Sequence, residues 1–126
     1  MKLYRLLAAK LLAKENCEKT RNQEWLDRHS RDIERLVKDH MPSGSGVDAG
    51  TKLDWNRSTP QKLVFETSYH HMNDSGYYDG WTEHTVIVRP SLWNEIEISI
   101  GGSDRNDIKE YLHQVFHEAL MQEIEE

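Results

Sequence analysis

Residues 1–40 contain no glycine or proline, and residues that favour helix dominate them. Apolar positions Leu3, Leu6, Leu7 and Leu11 recur at helical spacing, and so do Trp25, Leu26, His29, Ile33, Leu36 and Val37. The polar stretch 14–23 lies between these stripes, which predicts a long N-terminal helix with a break near Asn16 or Thr20. Such a helix offers more apolar surface than one small sheet can cover, so its first part is expected to pack on another subunit. Residues 41–50, MPSGSGVDAG, stop the helix and continue as a glycine-rich loop. A short extended segment over 51–55 follows, and then three strand patterns. Residues 62–69 alternate, with Leu63, Phe65, Thr67 and Tyr69 on one side, and 82–89 are rich in β-branched residues. Over 93–100, Ile96, Ile98 and Ile100 face in while Glu95, Glu97 and Ser99 face out. Pro90 and Ser91 predict a tight link between the last two strands, and 70–81 a long loop between the first two. Ser103 or Asp104 can cap a last helix, with Asp107 in its first turn and Ile108, Tyr111, Leu112, Val115, Phe116 and Ala119 as its apolar stripe. The acidic tail after residue 122 is expected to fray.

The pattern predicts an α+β fold: a long N-terminal helix with a candidate break, an antiparallel β-meander of three to five strands, and a C-terminal helix. One domain is expected over 1–126, comprising a helical region over 1–40 that serves oligomerisation, a sheet over 51–102 and a helix over 103–124. A chain of 126 residues suits a single core. The one cysteine, Cys17, cannot form an internal disulfide, which fits a reducing compartment. No apolar run is long enough for a membrane span, and Arg5 and Lys10 interrupt the one a signal peptide would need. A cytoplasmic chain without a membrane partner is expected.

Charge narrows the partners. The net charge of −6 argues against long nucleic acid, whose binding scales with cationic contacts. Residues 1–40 hold ten Lys or Arg against seven Asp or Glu, and the remainder hold six against fifteen. An anion site must therefore use Lys52, Arg57, Lys62, Arg89, Arg105 or Lys109, or cations of the N-terminal helix. A small anionic ligand fits that economy.

The glycine-rich loop can form a backbone anion nest or be a plain connector; it lacks the Lys-Ser/Thr order of a P-loop. The stretch 70–81, HHMNDSGYYDGW, with His84 beyond it, has three readings. His71, Asp79 and His84 could ligate a metal, although no zinc-type spacing is present and no metal or other cofactor is expected. The aromatics could stack on a nucleobase while Asn73 and Asp79 read its edge. The loop could also fold back to cover an open end of the sheet. His113 and His117 lie off the apolar stripe and read as a solvated face. Arg105 and Asn106 open the last helix, where an arginine can reach an anion held by free N–H groups. Arg57 stands alone before the first strand. No nucleophile–base arrangement is legible, so no catalytic residue is expected.

Three ordered blocks carry a resemblance: MPSGSGVDAGTKLD (41–54), STPQKLVFETSYHHMND-GYYDGWTEHTVIVRPSL (58–92, dash at Ser75) and DRNDIKEYL (104–112). Together they resemble the phage-encoded Thoeris anti-defence sponge family. The resemblance implies a non-enzymatic protein of the host cytoplasm that sequesters cyclic ADP-ribose isomers and, in some members, the cyclic di- or trinucleotides of CBASS defence. It also implies a homo-oligomer, dimer or hexamer, with ligand sites at subunit boundaries. Arginines on phosphate and an aromatic ring on adenine carry over in type to Arg57, Arg105 and Tyr78 or Trp81, with Arg28 as a candidate from the N-terminal helix. The ligand-binding set expected on this basis is Arg28, Arg57, His71, Asn73, Tyr78, Asp79, Trp81, His84, Arg105 and Asn106. Two rival functions remain. A hydrolase would use His71 or His84 as base with Asp79 orienting it. A protein-binding inhibitor of a host factor would use the acidic surface after residue 40.

Overall fold

A computed structural model describes residues 1–20, 23–41, 51–72, 75–102 and 104–125, with only the backbone described at 17–20, 72, 78 and 79. The N-terminal region forms two helices, α1 (Leu3–Thr20) and α2 (Gln23–His40). The break falls where the polar stretch interrupts the two apolar stripes. The C-terminal end of α2 returns to the start of α1, because Gln122 receives the Leu3 N–H on its carbonyl (3.0 Å) and donates its side-chain amide to the His40 carbonyl (3.0 Å). The two helices therefore form an antiparallel hairpin.

Leu3, Tyr4, Leu6, Leu7 and Leu11 are buried in the same core as Ile33 and Val37 of α2. This corrects the expectation that the first part of the helix needs another subunit: its apolar stripe is covered within one chain. The expectation had treated α1 as a continuation of α2, whereas folding back lets one stripe cover the other.

The sheet is a four-stranded antiparallel meander in the order β1 (Lys52–Leu53), β2 (Leu63–Met72), β3 (Tyr78–Pro90) and β4 (Ile96–Ile100). Its core face is set by register. Leu63 pairs with Val88, Phe65 with Val86, Thr67 with His84 and Tyr69 with Thr82. Helix α3 (Asn106–Met121) covers this face with Ile108, Leu112, Phe116 and Leu120, and the Phe65 and Phe116 rings meet edge to face at 5.6 Å.

Four other expectations change. The long loop over 70–81 is largely strand: β2 runs to Met72 and β3 starts at Tyr78, with a register shift between His70 and Met72. The β3–β4 link is not a tight turn at Pro90 and Ser91. Pro90 still pairs with Ile96, and the chain turns through a 3₁₀ segment (Leu92–Asn94) in which Trp93 and Asn94 both have φ of 63°. The acidic tail is held as far as Ile124, since Lys2 bridges Glu123 and the Ile124 N–H donates to the Met1 carbonyl at 2.8 Å. Arg105 occupies the N-cap position of α3 without a side-chain cap bond, in place of the expected Asp104; Ser103 lies outside the described residues.

Candidate functional site

The core face of the sheet changes character along its length. At one end it is aliphatic and aromatic; at the other it carries Thr67, Tyr69, His71, Thr82 and His84. Thr51 and Thr67 share a hydrogen bond at 2.9 Å, and His84 bonds the Gly101 carbonyl at 3.0 Å. A row of satisfied polar groups thus crosses the sheet where the apolar core ends.

His84 is 1% exposed and engages both ring nitrogens. A carbonyl oxygen only accepts, so Nδ1 must carry the proton that bonds Gly101. In the neutral ring Nε2 then accepts from the Thr82 hydroxyl, 2.7 Å away. The Thr82 oxygen in turn accepts from His71 Nε2, 3.0 Å away. The hydrogen-bond chain therefore has a direction, in which a neutral His71 ring keeps Nδ1 as an acceptor. Gly102 makes room for this arrangement. Its φ is +91°, and a Cβ there would lie 2.5 Å from the Glu83 carbonyl oxygen and 3.2 Å from His84 Nδ1. A side chain would be strained and would also collide with backbone.

Tyr69 connects His71 to the start of α3. The Tyr69 ring meets His71 edge-on at 5.2 Å and Tyr111 of α3 edge-on at 5.6 Å. Arg105 lies at the start of α3, where Nη2 donates to Asp107 Oδ2 at 2.6 Å and Nε donates to Oδ1 at 3.2 Å. The hydrogen bond and charge of Asp107 raise the Arg105 guanidinium above its usual range, and Tyr69 acts more weakly in the same direction. The same hydrogen bond holds the Asp107 carboxyl below the ordinary carboxylate value. Both side chains are mostly exposed, so the pair is screened by solvent and an incoming anion can compete for the guanidinium.

Of the expected site residues, His71 lies at this end of the sheet, Arg105 lies at the start of α3 within electrostatic reach of Tyr69, and Asn106 is the exposed first residue of α3. The rest are placed elsewhere or serve another purpose. His84 belongs to the buried network and is not available to a ligand. Trp81 pairs with His70 and so faces the opposite side of the sheet from Thr82. Arg57 is bonded to Glu66 at 3.2 Å, and Glu66 also accepts from Thr85; these residues lie on that opposite face too. Arg28 stacks over Trp25 on α2 at 5.3 Å. Tyr78 and Asp79 are placed by backbone alone at the start of β3, while Asn73 and the glycine-rich loop over 42–50 lie outside the described residues.

The sequence reading missed Tyr69, Thr82 and Tyr111. The available signal was the period-two spacing of Thr82 and His84, with Tyr69 on the inward side of its own alternating strand. The His113 and His117 rings stack at 6.2 Å, and His117 lies 3.6 Å from Glu95. Among the described residues no group of three His, Cys, Asp or Glu side chains could hold a metal ion, and no helix is long and apolar enough to cross a membrane. Comparison with known protein families, curated proteins and solved structures returns no match.

Proposed function

We propose that this chain is a phage anti-defence protein that captures a small cyclic nucleotide signal in the host cytoplasm without cleaving it. The ligand class follows the resemblance, with a cyclic ADP-ribose isomer first and a cyclic di- or trinucleotide second. The observation that carries the reading is the polar end of the sheet. A histidine ring fixed by a directed hydrogen-bond chain meets the Tyr69 ring, Tyr69 meets Tyr111, and the exposed Arg105 guanidinium lies within electrostatic reach of Tyr69. The Nδ1 acceptor of that histidine suits an exocyclic amine of a base, the tyrosine rings suit its flat faces, and the guanidinium suits a phosphate.

Capture by stoichiometry needs a dissociation constant below the ligand concentration, and nanomolar binding corresponds to about −12.3 kcal/mol. One guanidinium and one base contact fall short of that sum. Arg57 and Arg28 lie away from Arg105 within a chain, so copies of the chain must share a site for either to contribute. Homo-oligomerisation is part of the proposal for this reason.

One observation favours a second reading. A histidine with a fixed tautomer that keeps Nδ1 as an acceptor also suits a general base, which would make the protein a hydrolase of the same signal. A single experiment separates the readings. The signal is incubated with the protein, the protein is heat-denatured, and the released small molecules are weighed by mass spectrometry. Intact ligand recovered in proportion to protein supports capture. Product supports the hydrolase, and ligand left entirely unbound before heating overturns both.

A further inference from the structure

A cleft of about 320 Å³ opens between α2 and the edge strand β1, lined by Glu34, Val37, Lys38, Thr51, Lys52, Leu53 and Trp55. Its volume lies at the lower end of the range that holds small organic ligands. Val37, Thr51 and Leu53 are buried and form its inner wall, and the Thr51 hydroxyl is bonded to Thr67. Trp55 is fixed from behind by α1. Lys14, itself only 9% exposed, donates to the Trp55 carbonyl at 3.4 Å and lies 5.2 Å from the indole centroid.

Two cations are contributed by different elements, Lys38 by α2 and Lys52 by β1, and neither has an ion-pair partner among the described residues. That is informative in a chain of net charge −6, where Arg57 and Arg105 are both held by carboxylates. Glu34 is the one carboxylate among the described lining residues, and two ammonium groups outweigh it.

From this we infer a second binding site, separate from the polar end of the sheet, for a ring-bearing monophosphate of about mononucleotide size. The phosphate sits between Lys38 and Lys52, and the ring rests on the apolar wall against Trp55. The cleft cannot enclose a polynucleotide, and its lysines act as point charges that do not demand a bidentate partner. The site stands whether or not the polar end of the sheet binds a signal.

The test is calorimetric titration of the full-length protein with adenosine monophosphate, adenosine and inorganic phosphate. The Trp55 indole N–H is followed by NMR in parallel. Adenosine monophosphate should bind and shift that resonance, while adenosine and phosphate each bind at least tenfold more weakly. K38Q and K52Q should each weaken binding about tenfold, and E34Q should tighten it two- to threefold. All three positions are exposed, and thermal melts confirm that the variants remain folded. The Trp55 resonance should still shift in H71A, which separates this site from the one proposed above. No binding at millimolar adenosine monophosphate overturns the inference. So does unchanged affinity in the folded K38Q/K52Q double variant, and so does a loss of the Trp55 shift in H71A.

Discussion

At the scale of single residues, Thr82 decides the candidate site. Its hydroxyl gives its proton to His84 and receives one from His71, so one side chain fixes the orientation of both rings. Valine has the same shape without the hydroxyl. T82V would leave the buried His84 Nε2 without its donor, and such an orphaned group costs about 1–3 kcal/mol. The expected result is an unfolding free energy lowered by that amount, read as a lower denaturant midpoint with an unchanged slope, and near-wild-type stability in T82S. A T82V protein as stable as wild type would mean that the hydrogen-bond chain is incidental. This residue also shows why the site was only half legible. The histidines were visible as chemistry, but whether each faces a ligand or the core depends on register. Thr67 opposite His84 places His84 in the interior, and Tyr69 opposite Thr82 places Thr82 beside His71. No composition rule supplies that pairing. The ion pair of Arg57 with Glu66 was hidden in a similar way, since it forms only when the link between β1 and β2 folds back against β2.

At the scale of elements, alternation and helical spacing were legible wherever one face was buried. The helix break, the stripe of α3 and the inward isoleucines of β4 follow from the pattern, and Ile96 is the best covered of the three. Strand ends were not legible, because the outer face of β2 and β3 near the hairpin is polar or solvated and reads as loop. His70 and Trp81 are strand partners, yet Trp81 is 59% exposed. The β3–β4 turn hid itself differently. Trp93 is 92% exposed in a left-handed conformation, a combination that neither hydrophobicity nor turn propensity favours. A left-handed L-residue costs about 1–2 kcal/mol, and glycine avoids this at a smaller entropic cost of ~0.5–1 kcal/mol. W93G should therefore be stabilising by up to about 1 kcal/mol, because almost no packing is lost. N94G should gain less, since it also removes the acceptor of the Tyr4 hydroxyl bond. Thermal melts rank the three proteins, and a W93G variant less stable than wild type would show that the indole makes contacts worth more than the strain.

At the scale of the whole molecule, both ends of the chain close one core. Residues 1–3 pair with 122–124, α1 folds back on α2, and α3 seals the sheet. The buried leucines of α1, Leu3, Leu6, Leu7 and Leu11, thus contribute to the stability of a single chain, and association between copies must use exposed surfaces, on which Leu92 and Trp93 are the most exposed apolar side chains among the described residues. This yields a measurable distinction. Leu7 has no exposed surface, and truncating a buried leucine to alanine costs about 2–5 kcal/mol. If its packing is within the chain, L7A lowers the melting temperature by the same increment at every protein concentration. If α1 instead sat in an interface required for folding, mass action would make that increment grow on dilution. The intrachain packing predicts a constant increment, and also that deleting residues 1–16 unfolds the chain, since it removes five core side chains and the strand-like bridge to Glu123 together. A folded deletion variant of lower oligomeric state, seen by circular dichroism and light scattering, would return α1 to the role of an assembly helix.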